Sequence, residues 1–197
     1  MKRLYLLRHG QTEFNVKKLV QGRCDSPLTD LGRQQAGMAA AWLKAHGVVP
    51  DKVVSSPLGR AMDTAQLVAT ELLGPDAAAE PCEGIIERCY GTFEEGPHDA
   101  LPTDVWDPGE DLVPFGGEGS KALQERMVAT LTNLMGAKGI ETLLAVSHGS
   151  ASRQFIKAVA PGGFEFPTKL PNCAIMIFDF EEEKSGEEGN APQSKFI

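Results

Sequence analysis

Two histidines and two arginines stand close to the ends of three short apolar segments. Arg8 and His9 follow the run LYLL, His148 follows TLLAVS, and Arg60 comes shortly after KVVSS. A neutral imidazole is a nucleophile at neutral pH, and guanidinium groups can hold the oxygens of a migrating phosphoryl group. In open α/β sheets, ligands bind outside the carboxyl ends of the strands. The pattern therefore predicts a phosphoryl-transfer site that works through a covalent phosphohistidine.

Such a reaction also needs an acid that protonates the departing oxygen. Glu87 is the candidate, because in the segment IIERCYG it follows an apolar stretch and precedes a long polar loop. No cluster of carboxylates accompanies the histidines in the sequence, so we expect no metal in the site.

Strand and helix signals alternate along the chain and place these residues at strand-to-helix junctions. Continuous apolar runs predict strands over Leu4–Leu7, Lys52–Ser56, Thr142–His148 and Ala174–Phe180. Amphipathic segments between them carry helix signals, such as the cap candidates Thr29 and Ser120. The alternation predicts an α/β domain with a mostly parallel sheet.

Length and composition indicate one domain and exclude several kinds of partner. We assign residues 1–180 to the domain, 92–118 to a lid-like insertion rich in Gly, Pro, Asp and Glu, and 181–197 to an acidic flexible tail. The net charge of −8 argues against nucleic acid as a partner. No signal peptide or membrane span is recognisable, and the four scattered cysteines suit free thiols, so we expect a cytoplasmic protein.

Six elements of the sequence, taken in order, resemble the histidine phosphatase superfamily in its phosphoglycerate mutase-like branch. They are LRHGQTEFN, the QG pair at 21–22, SPLTDLG, SSPLGRAMDTA, the E-x-x-x-G of 87–91, and VSHG, and they cover roughly residues 3–160. The resemblance implies a three-layer α/β sandwich, with helices on both faces of a mostly parallel central sheet.

The same resemblance implies roles for individual residues. His9 would be the phosphorylated nucleophile, and Glu87 would be the proton donor. The phosphate pocket would be formed by Arg8, Arg60 and His148. The positions that match the substrate side of the family's pocket are Asn15, Gln21 and Gly22.

Within the family, the sequence favours a phosphatase over a mutase. Arg88 and Tyr90 match positions with which the mutases hold their substrate, although a solvated Arg88 and a Tyr90 packed beneath the loop are equally compatible with the residues. Against the mutase, residues 92–118 contain no Arg or Lys and many acids, which should repel a second phosphate, and Ser150 stands where the mutases tend to have Asn.

We therefore expect a metal-independent phosphatase of histidine acid type that hydrolyses small phosphate monoesters and needs no cofactor. One alternative is a cofactor-dependent phosphoglycerate mutase, which would use 2,3-bisphosphoglycerate. A further alternative is a catalytically weak module that binds phosphorylated ligands. The expected partner is a small phosphorylated metabolite, with neither nucleic acid nor a membrane involved, and the protein should be a monomer or a homodimer.

Overall fold

The computed structural model describes residues 1–160, 169–182 and 195–196. The described residues form six strands and five α-helices. In chain order these are β1 Lys2–Arg8, α1 Glu13–Lys17, α2 Asp30–Ala45, β2 Lys52–Ser55, α3 Gly59–Leu73, β3 Glu80–Pro81, α4 Ser120–Met135, β4 Thr142–Ser147, α5 Gly149–Val159, β5 Ile175–Glu181 and β6 Lys195–Phe196.

The strands form one sheet in the order β3-β2-β4-β1-β5-β6. The four strands β3, β2, β4 and β1 are mutually parallel, whereas β5 runs antiparallel to both of its neighbours. The sheet is therefore mixed but mostly parallel, as predicted. Because β1 and β4 are adjacent and parallel, Arg8 pairs with Ser147 and the two strands deliver their following histidines to the same edge.

Helices cover both faces of this sheet, which confirms the predicted three-layer α/β sandwich. Successive residues of β1 point to opposite faces, so Tyr5 and Leu7 belong to one core and Leu4 and Leu6 to the other. The first core is completed by alanine-rich α2 and α3, and the second by α4 and α5. Strands buried on both faces explain the continuous apolar runs in the sequence.

The predicted tail and three short elements depart from the sequence predictions. Residues 181–197 were predicted to form a flexible tail, but Glu181 belongs to β5 and Lys195–Phe196 forms β6. Phe196 is buried in the second core, and this burial fixes the end of the chain to the sheet. The predicted tail residues 183–194 lie outside the described residues. The short strands β3 and β6 and the single-turn α1 were not predicted.

The 92–118 loop is folded against the body of the domain. Short 3₁₀ turns over 91–93, 98–100 and 113–115 shape it, and its side chains Leu101 and Leu112 form a small core with Val20 and Tyr90. No helix among the described residues combines the length and the apolar character that crossing a membrane requires.

Candidate active site

The ends of three parallel strands bring the predicted cationic residues together. Arg8 ends β1, His148 directly follows β4, and Arg60 lies in the first turn of α3 after β2. The His9 backbone N–H donates to the Ser147 carbonyl at 3.0 Å, and this bond continues the β1–β4 pairing past the last paired residue of β1. The ring centroids of His9 and His148 are consequently only 5.1 Å apart.

His9 is held in the tautomer that a nucleophile needs. Its Nδ1 lies 2.7 Å from the Gly10 carbonyl oxygen. A carbonyl can only accept a hydrogen bond, so Nδ1 carries the proton and Nε2 has the free lone pair. Burial first, and then the charges of Arg60 and Arg8, hold the pKa of His9 well below its usual value. The ring is therefore neutral at pH 7, with Nε2 ready to attack.

His148 is fixed by the residue that follows β2. Its Nε2 lies 2.7 Å from Ser56 Oγ, while its buried Nδ1 has no partner among the described residues. Burial lowers its pKa well below the usual value, with further contributions from Arg60 and His9. When the Ser56 hydroxyl donates to Nε2, Nδ1 becomes an N–H donor for an incoming oxyanion.

Arg60 is anchored by the segment before α2. One terminal nitrogen donates to the Cys24 carbonyl at 2.8 Å and to Asp25 at 3.2 Å, and the other donates to the Gly22 carbonyl at 2.7 Å. These bonds fix the guanidinium plane, yet Nε is buried without a partner among the described residues.

Arg8 lies beneath the 92–118 loop. Its guanidinium donates to the Leu170 carbonyl and lies 5.2 Å from the centroid of the Trp106 ring, while its Nε has no partner among the described residues. Burial lowers the pKa of Arg8 to about 10, so it stays charged at neutral pH. Two buried N–H groups of this kind, from Arg8 and Arg60, are suited to bind phosphoryl oxygens.

Glu87 is held at the amino end of α5. Its carboxylate accepts backbone hydrogen bonds from Arg88 at 2.8 Å, Ala151 at 2.8 Å and Ser150 at 3.2 Å. These three backbone donors fix the position of the Glu87 carboxyl group. Because α5 begins directly after His148, this anchoring fixes Glu87 relative to the second histidine.

Three neutral residues predicted on the substrate side also lie at the pocket. Asn15 Oδ1 accepts from the Thr12 backbone N–H at 3.2 Å, and Gln21 Oε1 accepts from the Thr12 hydroxyl at 2.9 Å. Both amides therefore offer their NH₂ groups. Gly22 has φ +53°, and a Cβ there would lie 2.1 Å from the Glu94 carboxylate, so a side chain is excluded for two reasons.

Arg88, predicted to bind substrate or to be solvated, is buried away from the pocket. Its side chain is fully buried and does not line the pocket. Its guanidinium donates to Ser150 Oγ at 3.0 Å, Ser120 Oγ at 2.8 Å and the Glu118 carbonyl at 2.6 Å, with a longer bond to Gly109. All three guanidinium nitrogens thus donate hydrogen bonds, and these bonds connect the loop with α4 and α5. Tyr90 does line the pocket, and its hydroxyl donates to the Val105 carbonyl of the loop at 2.8 Å.

The acids of the 92–118 loop do not face the pocket, which corrects the electrostatic argument drawn from them. Glu94 accepts from three backbone N–H groups, Asp107 from Gln154 and Lys157, and Glu118 from Arg126. None of the loop's acids is among the residues that line the pocket in the described part of the chain. These carboxylates bond within the fold and are not among the groups that line the pocket.

The pocket unites nearly all of the predicted site residues. It is partly open to solvent, and its lining includes Arg8, His9, Asn15, Gln21, Gly22, Arg60, Glu87 and Tyr90. The ring of His148 lies beside the ring of His9. In the described residues, no three His, Cys, Asp or Glu side chains come together as a candidate metal site.

Several lining residues were not predicted from the sequence. Trp106 and Val105 from the loop, together with Leu19 and His98, also line the pocket. A single Trp in a polar loop is a usable sequence signal for Trp106. No local pattern marks His98. Gly149 is required by Trp106, because a Cβ there would lie 2.9 Å from the indole.

Comparison with known proteins identifies the family of this chain. Residues 4–188 match the model of the histidine phosphatase superfamily, branch 1, so the chain belongs to this superfamily and the predicted resemblance is confirmed. Over 190 residues the chain is 33% identical to the probable phosphoglycerate mutase GpmB of Proteus mirabilis, covering 92% of this chain and 86% of that protein.

Solved structures of both kinds of enzyme share the fold. A phosphoserine phosphatase from Entamoeba histolytica, in complex with 3-phosphoglyceric acid, is 31% identical, with a TM-score of 0.73 and coverage of 91% of either chain. A phosphoglycerate mutase from Bacillus anthracis has a TM-score of 0.76 at 22% identity over 90% of this chain and 87% of that one, which shows the fold alone.

Proposed function

We propose that this protein is a phosphatase that hydrolyses small phosphate monoesters through a phosphohistidine at His9, without a metal or cofactor. The observation that carries the proposal is the His9 ring, whose Nδ1–H is bonded to the Gly10 carbonyl so that Nε2 is a free nucleophile. Two buried guanidinium groups beside it supply the positive charge that phosphoryl transfer requires.

In the first step, His9 Nε2 attacks phosphorus and the bond from phosphorus to the leaving oxygen breaks. Glu87, in its protonated form, gives its proton to that oxygen. The imidazole becomes positively charged as the N–P bond forms, and the Gly10 carbonyl, 2.7 Å from Nδ1, stabilises this charge. Arg8, Arg60 and His148 donate to the equatorial oxygens.

In the second step, water attacks the phosphohistidine. Glu87 is now a carboxylate and takes a proton from the water, the N–P bond breaks, and phosphate leaves. His9 returns to its neutral state with the proton still on Nδ1. The three backbone hydrogen bonds on the Glu87 carboxylate hold it in place through both steps.

The composition of the pocket supports hydrolysis over mutase activity. A mutase must hold a bisphosphorylated intermediate, and the second phosphate needs its own cations. Arg8 and Arg60 are the cations that line the pocket within the described residues, and both lie at the phosphate end. Arg88 is the further cation that could have bound a second phosphate, but its guanidinium is hydrogen-bonded to Glu118 and Ser120.

The test is a phosphorus NMR time course with 4-nitrophenyl phosphate and a panel of phosphate monoesters. We expect inorganic phosphate from the wild-type protein, an unchanged rate in EDTA, and loss of turnover in His9→Ala. His46→Ala is the matched control, because this histidine is exposed and bonds only to its own helix. Phosphate release that survives in His9→Ala would refute the proposed nucleophile, and full inhibition by EDTA would refute the metal-free chemistry.

Phosphoglycerate mutase activity is the second candidate, because the curated relative from Proteus mirabilis is named a probable mutase. It is tested with 3-phosphoglycerate and a trace of 2,3-bisphosphoglycerate. A 2-phosphoglycerate signal that depends on the bisphosphate would establish the mutase, and inorganic phosphate alone would support the phosphatase.

A further inference from the structure

We infer that the pocket selects monoesters whose leaving group is uncharged and carries hydrogen-bond acceptors, and that it discriminates against leaving groups with a second anionic group. This inference rests on the proposed function and specifies its substrate class. It is carried by the charges of the residues that line the pocket.

The phosphate end contains the positive charge of the pocket. Within the described lining, Arg8 and Arg60 are the permanently charged cations, and a bound phosphate dianion balances both of them. Two further arginines near the site, Arg23 and Arg88, do not line the pocket. Arg23 lies near Glu118, and Arg88 is bonded within the fold. No lining cation in the described residues is left for a second anion.

Apart from Arg8, Arg60 and Glu87, the described lining of the pocket is neutral and partly apolar. Leu19, Val105 and Trp106 form one part of it, and the amides of Asn15 and Gln21 lie with them in the lining. Since the oxygen atoms of both amides already accept hydrogen bonds from Thr12, their NH₂ groups are the atoms available to a ligand. Hydroxyl and ether oxygens can accept from these donors, while carbon atoms pack against the apolar part.

His98 and two exposed lysines do not change this balance. The pKa of His98 is lowered, by burial first, so the ring is neutral at pH 7 and above. Lys18 and Lys169 act on His98 through their charges, but neither lines the pocket and both are exposed. An anion would have to reach them through water, where an ion pair contributes about 0–1 kcal/mol.

The experiment compares two substrates of nearly equal size, glycerol 3-phosphate and 3-phosphoglycerate, which differ in carrying a hydroxymethyl or a carboxylate group. We expect kcat/KM for glycerol 3-phosphate to be about tenfold or more above that for 3-phosphoglycerate. A carboxylate beside the neutral lining residues loses hydration without gaining a charged partner. Equal values, or a preference for 3-phosphoglycerate, would overturn the inference and leave the phosphatase proposal intact. Failure to hydrolyse any monoester would instead remove the proposed function.

A pair of variants tests the cause. Val105→Lys places a cation in the lining of the pocket. We expect it to raise kcat/KM for 3-phosphoglycerate, relative to kcat/KM for glycerol 3-phosphate, by at least about threefold. Val113→Lys is the control, because Val113 belongs to the same loop but is 51% exposed and does not line the pocket. Equal effects of both variants would show that net charge, and not the pocket lining, sets the preference. If the wild type prefers 3-phosphoglycerate and Lys169→Met removes that preference, the rim lysines bind the anion and the inference is wrong.

Discussion

Arg88 offers the sharpest test of the structure, because sequence and geometry assign it different roles. Its buried guanidinium donates to two hydroxyls and two carbonyls that belong to the loop, α4 and α5. Arg88→Ala removes the donors and leaves these acceptors buried. Breaking a buried charged network of this kind costs about 3–5 kcal/mol. For a domain of this size each kcal/mol lowers Tm by about 2–4 °C, so we expect a loss of about 6–20 °C.

The assay combines thermal unfolding with steady-state kinetics at 25 °C. If Arg88 holds the loop and does not touch substrate, KM should change less than about threefold in whatever fraction of Arg88→Ala is folded. Arg88→Lys keeps the charge but loses the planar fork, so its Tm should lie between those of wild type and Arg88→Ala. Arg33→Ala, on the exposed side of α2, is the control and should shift Tm by no more than about 2 °C. A Tm within about 2 °C of wild type, together with a KM that is about tenfold higher, would refute this structural role and assign Arg88 to substrate binding.

Three other predictions concern the site itself. Gly149→Ala places a Cβ 2.9 Å from Trp106 and within 3.5 Å of the Arg8 guanidinium, so we expect a lower kcat/KM and altered tryptophan fluorescence, whereas Gly37→Ala, with nothing within 4 Å, should leave both unchanged. Ser56→Ala removes the partner of His148 Nε2 and should lower kcat by about three- to tenfold, more than Ser55→Ala does. The pKa of His9 and that of His148 lie well below 6.5, so kcat/KM, corrected for substrate ionisation, should hold down to pH 6.5 and fall only at lower pH. The same two shifts favour protonation of the unfolded state below pH 6.5, so the free energy of unfolding, measured with urea, should decrease as the pH falls further. An acid limb of activity centred at or above pH 6.5 would contradict these pKa directions.

The convergence of the catalytic residues was predictable from the sequence because it follows from strand geometry. Apolar runs buried on both faces identify parallel strands, and Arg8, His9 and His148 stand directly where two such strands end. Glu87 was predicted by its place in the motif, but its contact with the amino end of α5 depends on how α5 packs, which no local pattern contains.

The errors arise where the direction of a side chain decides the outcome. Arg88 and Tyr90 are two residues apart, yet Tyr90 lines the pocket and Arg88 does not. The backbone before the 91–93 turn is irregular, so the sequence has no periodicity that predicts which side chains point toward the pocket. The acidic loop was misjudged for the same reason. Its composition is evident in the sequence, but the backbone N–H groups that bind Glu94 and the cations that bind Asp107 and Glu118 come from distant segments.

The two buried arginines of the site lower the stability of the free protein, and their hydrogen-bond partners offset part of this cost. Arg8 and Arg60 lie close enough that the charge of Arg60 lowers the pKa of Arg8, and both side chains are buried with an Nε that has no partner among the described residues. Buried like charges and unpaired donors both cost free energy. Glu87, Asp25 and the carbonyls of Cys24, Gly22 and Leu170 offset part of this cost and keep the guanidinium groups in place. In the proposed reaction, a phosphoryl group satisfies the remaining donors and separates the two charges. The arrangement that is unfavourable in the free protein then favours the proposed phosphoryl transfer, since the donors need no reorganisation when the charge arrives.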